Sequence, residues 1–108
     1  MSQCIFCRIV NKEAPARIVY EDEQVVAFHD AYPKAPLHIL IVPRRHIPSL
    51  AHTRPEDEPL LGHMLYVARV IAEQEGILER GFRVIINTGP AGGQEIYHLH
   101  LHLMGKWR

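Results

Sequence analysis

The chain has 108 residues, 47% of them apolar and 22% charged, with twelve basic and twelve acidic side chains and a formal net charge of zero. That suffices for one shared core, and it supplies no basic field to draw the chain onto nucleic acid or an anionic membrane. The longest apolar stretch, Ile39 to Pro43, falls far short of the roughly 18 residues that cross a bilayer, and Met1-Ser2-Gln3 neither carries basic charge nor leads into a long apolar run. The expectation is a soluble, cytoplasmic protein, a single domain over residues 1–108 with no secretory leader and no membrane or nucleic-acid partner.

From Cys4 to Lys12, apolar residues at Ile5, Phe6, Ile9 and Val10 recur at helical spacing and predict a short helix that closes near Pro15. Arg17 to Glu21 and Gln24 to His29 are rich in β-branched and aromatic residues and are separated only by Asp22-Glu23, which predicts a hairpin. After a loop over Asp30 to Pro36, Leu37 to Val42 is a nearly continuous apolar strand ended by Pro43, and its apolarity on both faces makes it central. Thr53-Arg54-Pro55-Glu56 has the form of a capping box. A long helix should follow, with an apolar stripe through Leu60, Leu61, Met64, Leu65, Val67, Ala68, Ile71 and Ala72, and with Gly76 as its stop. Phe82 to Asn87 reads as another strand, Thr88 to Gln94 as a glycine-rich loop, and Ile96 to Met104 as the last strand. Strands on both sides of one long helix, rather than alternating with helices, predict an α+β fold: an antiparallel sheet of about five strands, one long helix and a short N-terminal helix.

The last strand carries the strongest signal. In His98-Leu99-His100-Leu101-His102-Leu103-Met104 an imidazole occupies every second position. Alternate side chains of an extended chain leave on one side about 6.5 Å apart, so this segment lines one face with histidines and buries the other. With an ordinary pKa of about 6.5, imidazole can act as nucleophile, acid, base or metal ligand near neutrality. Three same-side residues of a straight strand span about 13 Å, too far for all three to meet one ion, although two of them could. Nucleophilic catalysis needs only one at the reacting atom. Just upstream, Gly89, Gly92 and Gly93 remove side chains where backbone amides could approach an anion, and beside a wall of histidines that points to phosphate.

Gly92-Gly93-Gln94-Glu95-Ile96-Tyr97-His98-Leu99-His100-Leu101-His102-Leu103-Met104-Gly105 resembles the signature of the histidine triad family. Cys4 to Val10, Ala27-Phe28-His29-Asp30 and Ala35 to Pro43 extend the likeness over nearly the whole chain, toward the nucleotide-binding branch, whose members hydrolyse nucleoside 5′-phosphoramidates. The resemblance implies that His100 is the nucleophile that holds a nucleotidyl group, with His102, Asn87 and the backbone at Gly93 around the phosphate. It implies Asp30 at the ribose hydroxyls and a purine among Phe6, Ile9 and Leu40, with His38 nearby. Much of the branch has a serine where this chain has Glu95. A carboxylate there would disfavour anionic leaving groups and favour lysyl or other aminoacyl ones.

Cys4 and Cys7 form a C-x-x-C pair, whose spacing lets two thiolates meet one tetrahedral ion; a redox pair is the rival, although no strand precedes it as in thioredoxin-like motifs. Members of the superfamily with this pair complete the shell with a histidine after the central strand and the first triad histidine. The resemblance therefore implies a structural zinc on Cys4, Cys7, His46 and His98, and leaves His98 unable to protonate a leaving group. It also implies a homodimer, with the outer side of the long helix and Trp107 as contact candidates. Two further functions stay open: dinucleoside polyphosphate hydrolysis, whose branch tends to have proline where Tyr97 stands, and a nucleotide- or zinc-binding regulatory module with little turnover. His29, His52 and His63 are expected to be surface or satisfied polar residues.

Overall fold

The computed structural model describes residues 4–108. Its elements in chain order are α1 (Ile5–Val10), β1 (Ile18–Glu21), β2 (Val25–His29), β3 (Leu37–Pro43), two short 3₁₀ turns, α2 (Glu58–Gln74), β4 (Phe82–Ile85) and β5 (Leu101–Gly105). The five strands form one antiparallel sheet in the order β1-β2-β3-β5-β4, so the α+β architecture and the central place of β3 are as expected.

The sheet is covered on both faces, and period-two alternation sorts the side chains between them. Val25, Ala27, Ile39, Ile41, Leu101 and Leu103 pack with Met64, Val67, Ala68 and Ile71 of α2. Val26, Phe28, Leu40 and Val42 point the other way, against Phe6, Ile9 and Val10 of α1. β3 is buried along its whole length, which is why its sequence shows no polar alternation. Each fully buried Ile, Leu or Phe contributes about 1.5–3 kcal/mol.

Local differences from the sequence reading have physical causes. The capping box lies one residue later than expected: the Asp57 carboxylate accepts the Arg54 amide at 2.9 Å, while the Thr53 hydroxyl donates to the Leu50 carbonyl at 2.7 Å and closes the preceding turn. At the other end of α2, Gly76 and Ile77 donate to Glu73 and Ala72 in Schellman geometry, and Ile77 is buried beneath. Of the expected apolar stripe, Leu65 is 53% exposed, so the helix turns that position away from the sheet.

The last strand is shorter than the Ile96–Met104 of the sequence reading. Its ladder with β3 runs only from Leu101, opposite Ile41, to Gly105, opposite Leu37. Upstream of that the Pro43 carbonyl accepts from the His98 ring, and Leu99 N–H donates to the Ile47 carbonyl, so the segment 98–100 leaves the sheet. Nor is the histidine face wet. Because α1 covers it, His98 and His100 are buried along with the leucines between them, and His102 alone of the three is partly exposed.

Candidate functional site

Between α1, the loop after β2 and the approach to β5 lies a cleft of about 920 Å³. Ile5, Phe6, Ile9, Phe28, Leu40 and Ile96 supply its apolar lining; Asp30, Asn87, Gly93, Glu95, His100 and His102 supply its chemistry. The register explains part of the gathering. His102 stands between Leu40 of β3 and Ile85 of β4, and Asn87 follows β4 by two residues.

His38 is the one candidate of the nucleotide set that does not line the cleft. It is buried behind His102, with Nε2 2.9 Å from His102 Nδ1 and 3.4 Å from an Asp30 carboxylate oxygen. Its contacts are with a catalytic candidate and not with the apolar base pocket.

The hydrogen-bond partners fix the tautomers. Lys34 N–H can only donate, and it meets His38 Nδ1 at 3.0 Å, so in the neutral ring the proton is on Nε2 and is donated to His102 Nδ1. His102 then keeps its own proton on Nε2, which faces the Asn87 amide at 3.4 Å. The atom placed there is Asn87 Nδ2, so two donors would face each other; turning the amide over sets its oxygen toward His102. His100 has the opposite arrangement: its Nδ1–H donates to the His98 carbonyl at 2.7 Å, which leaves the lone pair on Nε2.

Burial lowers the pKa of His100, although the His98 carbonyl and Asp30 act the other way. His102 is pushed down to about 4, by burial first and then by the neighbouring His100 and His38. At neutral pH the cleft therefore presents a nucleophilic nitrogen beside a ring N–H donor. Asp30 accepts Tyr32 N–H at 2.9 Å through Oδ1, and its further lone pairs suit a pair of hydroxyls.

The glycine loop differs from an open anion nest. Gly89 N–H donates to the Gln94 side chain at 3.0 Å, Gly93 N–H to the Pro90 carbonyl at 3.1 Å and Gln94 N–H to the Gly89 carbonyl at 3.0 Å. These amides close the turn on itself and are not offered to a ligand. Gly92 is required for another reason: a Cβ there would collide with the Thr88 carbonyl.

A second cluster lies behind α1. One donor atom each from Cys4, Cys7, His46 and His98 falls within 4.8 Å of the others. His98 Nδ1 is 3.3 Å from Cys4 Sγ, 3.5 Å from Cys7 Sγ and 3.3 Å from His46 Nδ1, and Cys7 Sγ is 3.3 Å from His46 Nδ1. Bonds of about 2.0–2.3 Å in a tetrahedral shell give ligand–ligand edges of about 3.3–3.8 Å, so the donor set fits zinc. His98 Nε2–H is donated to the Pro43 carbonyl at 2.8 Å, which turns the Nδ1 lone pair to the cluster.

The sequence reading missed Arg17, Tyr32 and Lys34, which also line the cleft from ordinary loop sequence. It gave His63 no partner, yet His63 Nε2 is 2.7 Å from an Asp22 oxygen that also accepts the Tyr20 hydroxyl at 2.8 Å. Burial pushes the Asp22 carboxyl up, but His63, Tyr20 and the amides of Gln24 and Val25 together hold it well below the usual carboxylate range. His52 pairs with Ser49 at 2.7 Å, and His29 lines a neighbouring cavity of about 430 Å³ with Arg17, Glu75 and Lys106.

Three histidines alternating into the last strand, two of them in the wall of the cleft and the first in the cysteine cluster, on a five-stranded antiparallel sheet backed by one long helix, are the marks of the histidine triad family, and the chain belongs to it. The family described as "Scavenger mRNA decapping enzyme C-term binding" matches residues 3–107. The chain is 52% identical to protein HitA of Neisseria gonorrhoeae over 105 residues, covering 97% of both chains. It is 52% identical to the purine nucleoside phosphoramidase of Escherichia coli over 103 residues, 95% of this chain and 87% of that one. It is 51% identical to a 14 kDa zinc-binding protein of Zea mays, over 96% of this chain and 82% of that protein. Among solved structures, a HIT family hydrolase from Legionella pneumophila superposes with a TM-score of 0.95 at 42% identity, over 98% and 95% of the two chains. A zinc-bound histidine triad protein from Mycobacterium smegmatis does so at 0.84 and 35% identity, over 97% and 76%. No helix among the described residues is long and apolar enough to cross a membrane.

Proposed function

We propose that the chain hydrolyses purine nucleoside 5′-phosphoramidates through a nucleotidyl-histidine intermediate. The observation that carries this reading is the His100 ring: its Nδ1–H is held by the His98 carbonyl at 2.7 Å, which leaves Nε2 as the nucleophilic atom in the wall of a cleft of nucleotide size. The name of the Escherichia coli relative supports the substrate class.

In the first half-reaction His100 Nε2 attacks the α-phosphorus. The P–N bond to the amine breaks, its electron pair stays on the departing nitrogen, and that nitrogen takes up a proton. His98 cannot supply it, because its Nε2–H is committed to Pro43 and its Nδ1 to the cysteine cluster. The neutral His102 ring is no acid at this pH, so the proton comes from water; His102, with an N–H beside the cleft, hydrogen-bonds the phosphoryl oxygens as charge develops on them. In the second half-reaction water attacks phosphorus, the bond to His100 breaks with its pair returning to Nε2, and the nucleoside monophosphate leaves with a proton released. Asp30 accepts the ribose hydroxyls, Asn87 and the chain at Gly93 border the phosphate, and Phe6, Ile9 and Leu40 enclose the purine.

Cys4, Cys7, His46 and His98 would hold a zinc ion whose contribution is structural, tying α1 to the chain beyond β3 and to the approach to β5. A thiol-bearing centre of this kind suits a reducing compartment, here the cytoplasm. A second copy of the chain would cover the outer side of α2, where Leu65 and Tyr66 are more than half exposed. Glu95, exposed at the cleft, favours amines that carry a second positive charge.

The test is a panel of adenosine and guanosine phosphoramidates with lysyl and neutral alkyl amines, with the adduct trapped by mass spectrometry. We expect a nucleotidyl adduct on His100, its loss together with nearly all turnover in His100→Ala, and nucleotide binding retained in that variant. Full turnover by His100→Ala would refute the mechanism. Glu95→Ser should erase the preference for the lysyl compound; an unchanged preference removes Glu95 from substrate selection.

A further inference from the structure

Gln94 has no part in the scheme above, yet its side chain is more heavily engaged than any other near the cleft. It is 7% exposed, and each of its polar atoms has a partner of matching kind. Oε1 accepts Gly89 N–H at 3.0 Å, and Nε2 donates to the Pro48 carbonyl at 2.7 Å and to the Ile96 carbonyl at 3.0 Å. One acceptor facing a donor and two donors facing carbonyls leave a single orientation for the amide. The side chain ties together three segments that share no strand ladder: the loop after β4, the chain beyond β3 and the approach to β5. Gly93, Glu95 and Ile96 line the cleft, while Gln94 between them points inward. Among the described residues, the loop it closes is otherwise held by short-range bonds, Gly93 N–H to Pro90 and Gln94 N–H to Gly89.

We infer that Gln94 is a positioning residue that shapes the phosphate side of the cleft: its carboxamide fixes where the backbone from Gly93 to Ile96 stands relative to His100, without touching substrate. This rests on the proposed placement of the phosphate beside Gly93. Phe6, Ile9 and Leu40, placed around the purine, stand on α1 and β3, which the clamp does not touch. Loss of the clamp should therefore weaken binding of the phosphate and spare binding of the nucleoside.

The experiment compares dissociation constants for AMP and adenosine in wild type, Gln94→Met and Gln94→Glu. Methionine keeps the volume and removes all three bonds. Glutamate keeps an acceptor for Gly89 but sets an oxygen against two carbonyls. We expect AMP to weaken about tenfold in Gln94→Met and further in Gln94→Glu, with adenosine nearly unchanged in both. Equal weakening of both ligands, or of neither, would overturn the inference. Should the variants fail to fold, hydrogen exchange at the Gly89 amide of the wild-type protein decides: AMP should slow it and adenosine should not, and equal exchange with both ligands overturns the proposal. The underlying placement is read separately, since wild type binding AMP no more tightly than adenosine would refute the phosphate site whatever Gln94 does.

Discussion

Among the described residues there are two clusters of metal-ligand type side chains, one at each end of the same histidine run, and they are built for different work. Cys4, Cys7, His46 and His98 form one; Asp30, His38 and His102 form the other, and in each the donor atoms fall within 4.8 Å of one another. Proximity alone would make both of them metal sites. The difference lies in where the protons are. In the first cluster the far nitrogen of His98 is committed to a backbone carbonyl, so that its lone pair is turned to two sulfurs and a second imidazole. In the second, the lone pairs are already used: Lys34 N–H occupies His38 Nδ1, and His38 Nε2–H occupies His102 Nδ1. One cluster is a set of converging acceptors, and the other is a directional chain that ends in an N–H beside the cleft. Donor polarity, not spacing, separates a metal shell from a hydrogen-bond relay.

The sharpest way to break this comparison is to measure metal. The purified protein should hold one zinc per chain, and Cys4→Ser should lose it, with a large fall in melting temperature, since structural zinc sites contribute directly to folding. His38→Leu should leave the zinc content unchanged. A protein that holds no zinc, or that loses it on mutation of His38, would collapse the distinction. Because Phe6 of α1 packs edge-on against both His98 and His100, at ring distances of 5.8 and 5.2 Å, removal of the metal should also loosen the base pocket and weaken nucleotide binding.

A smaller effect is expected at the relay. His38→Leu leaves a ring nitrogen of His102 without its donor, a loss of about 1–3 kcal/mol, or about 5- to 150-fold in kcat/KM. His38→Gln, whose amide can donate in the same direction, should recover part of that loss. If leucine and glutamine were equally damaging, packing rather than proton polarity would be the role of His38.

Much of the molecule could be read from its residues because the relevant signals are local. The strand Leu37–Pro43, the helix ended at Gly76 and the alternating histidines each follow from periodicity within a few turns or rungs. Asp30, Asn87 and Phe6 were placed by resemblance to a family, and the structure brings them to one cleft. What could not be read were relations between distant segments. His38 looks like any strand histidine until the fold sets it behind His102, and His63 pairs with Asp22 only because α2 packs over the β1–β2 hairpin. The extent of the last strand was overestimated for a similar reason. Side-chain alternation persists through His98 to His100, but the backbone partner there is lost to Pro43 and Ile47, and no local pattern announces a carbonyl taken by a distant ring.

The narrowest test is the response to acid, and it probes the second cluster alone. His102, held down to about 4 against an unfolded value of about 6.5, stays neutral in the folded protein while the unfolded chain takes up a proton. The unfolded state then binds more protons between those values, so stability is full above about pH 6.5 and declines as pH falls toward 4, below which this contribution changes no further. The acid limb of kcat/KM should accordingly lie well below the ordinary histidine value. In His38→Leu it should move upward, because the His38 N–H aimed at His102 Nδ1, which opposes a second proton on that ring, has been removed. Rate profiles of the two proteins, recorded with one substrate between pH 4 and pH 8, check this directly, and superimposable acid limbs would show that His38 does not act on the charge of His102.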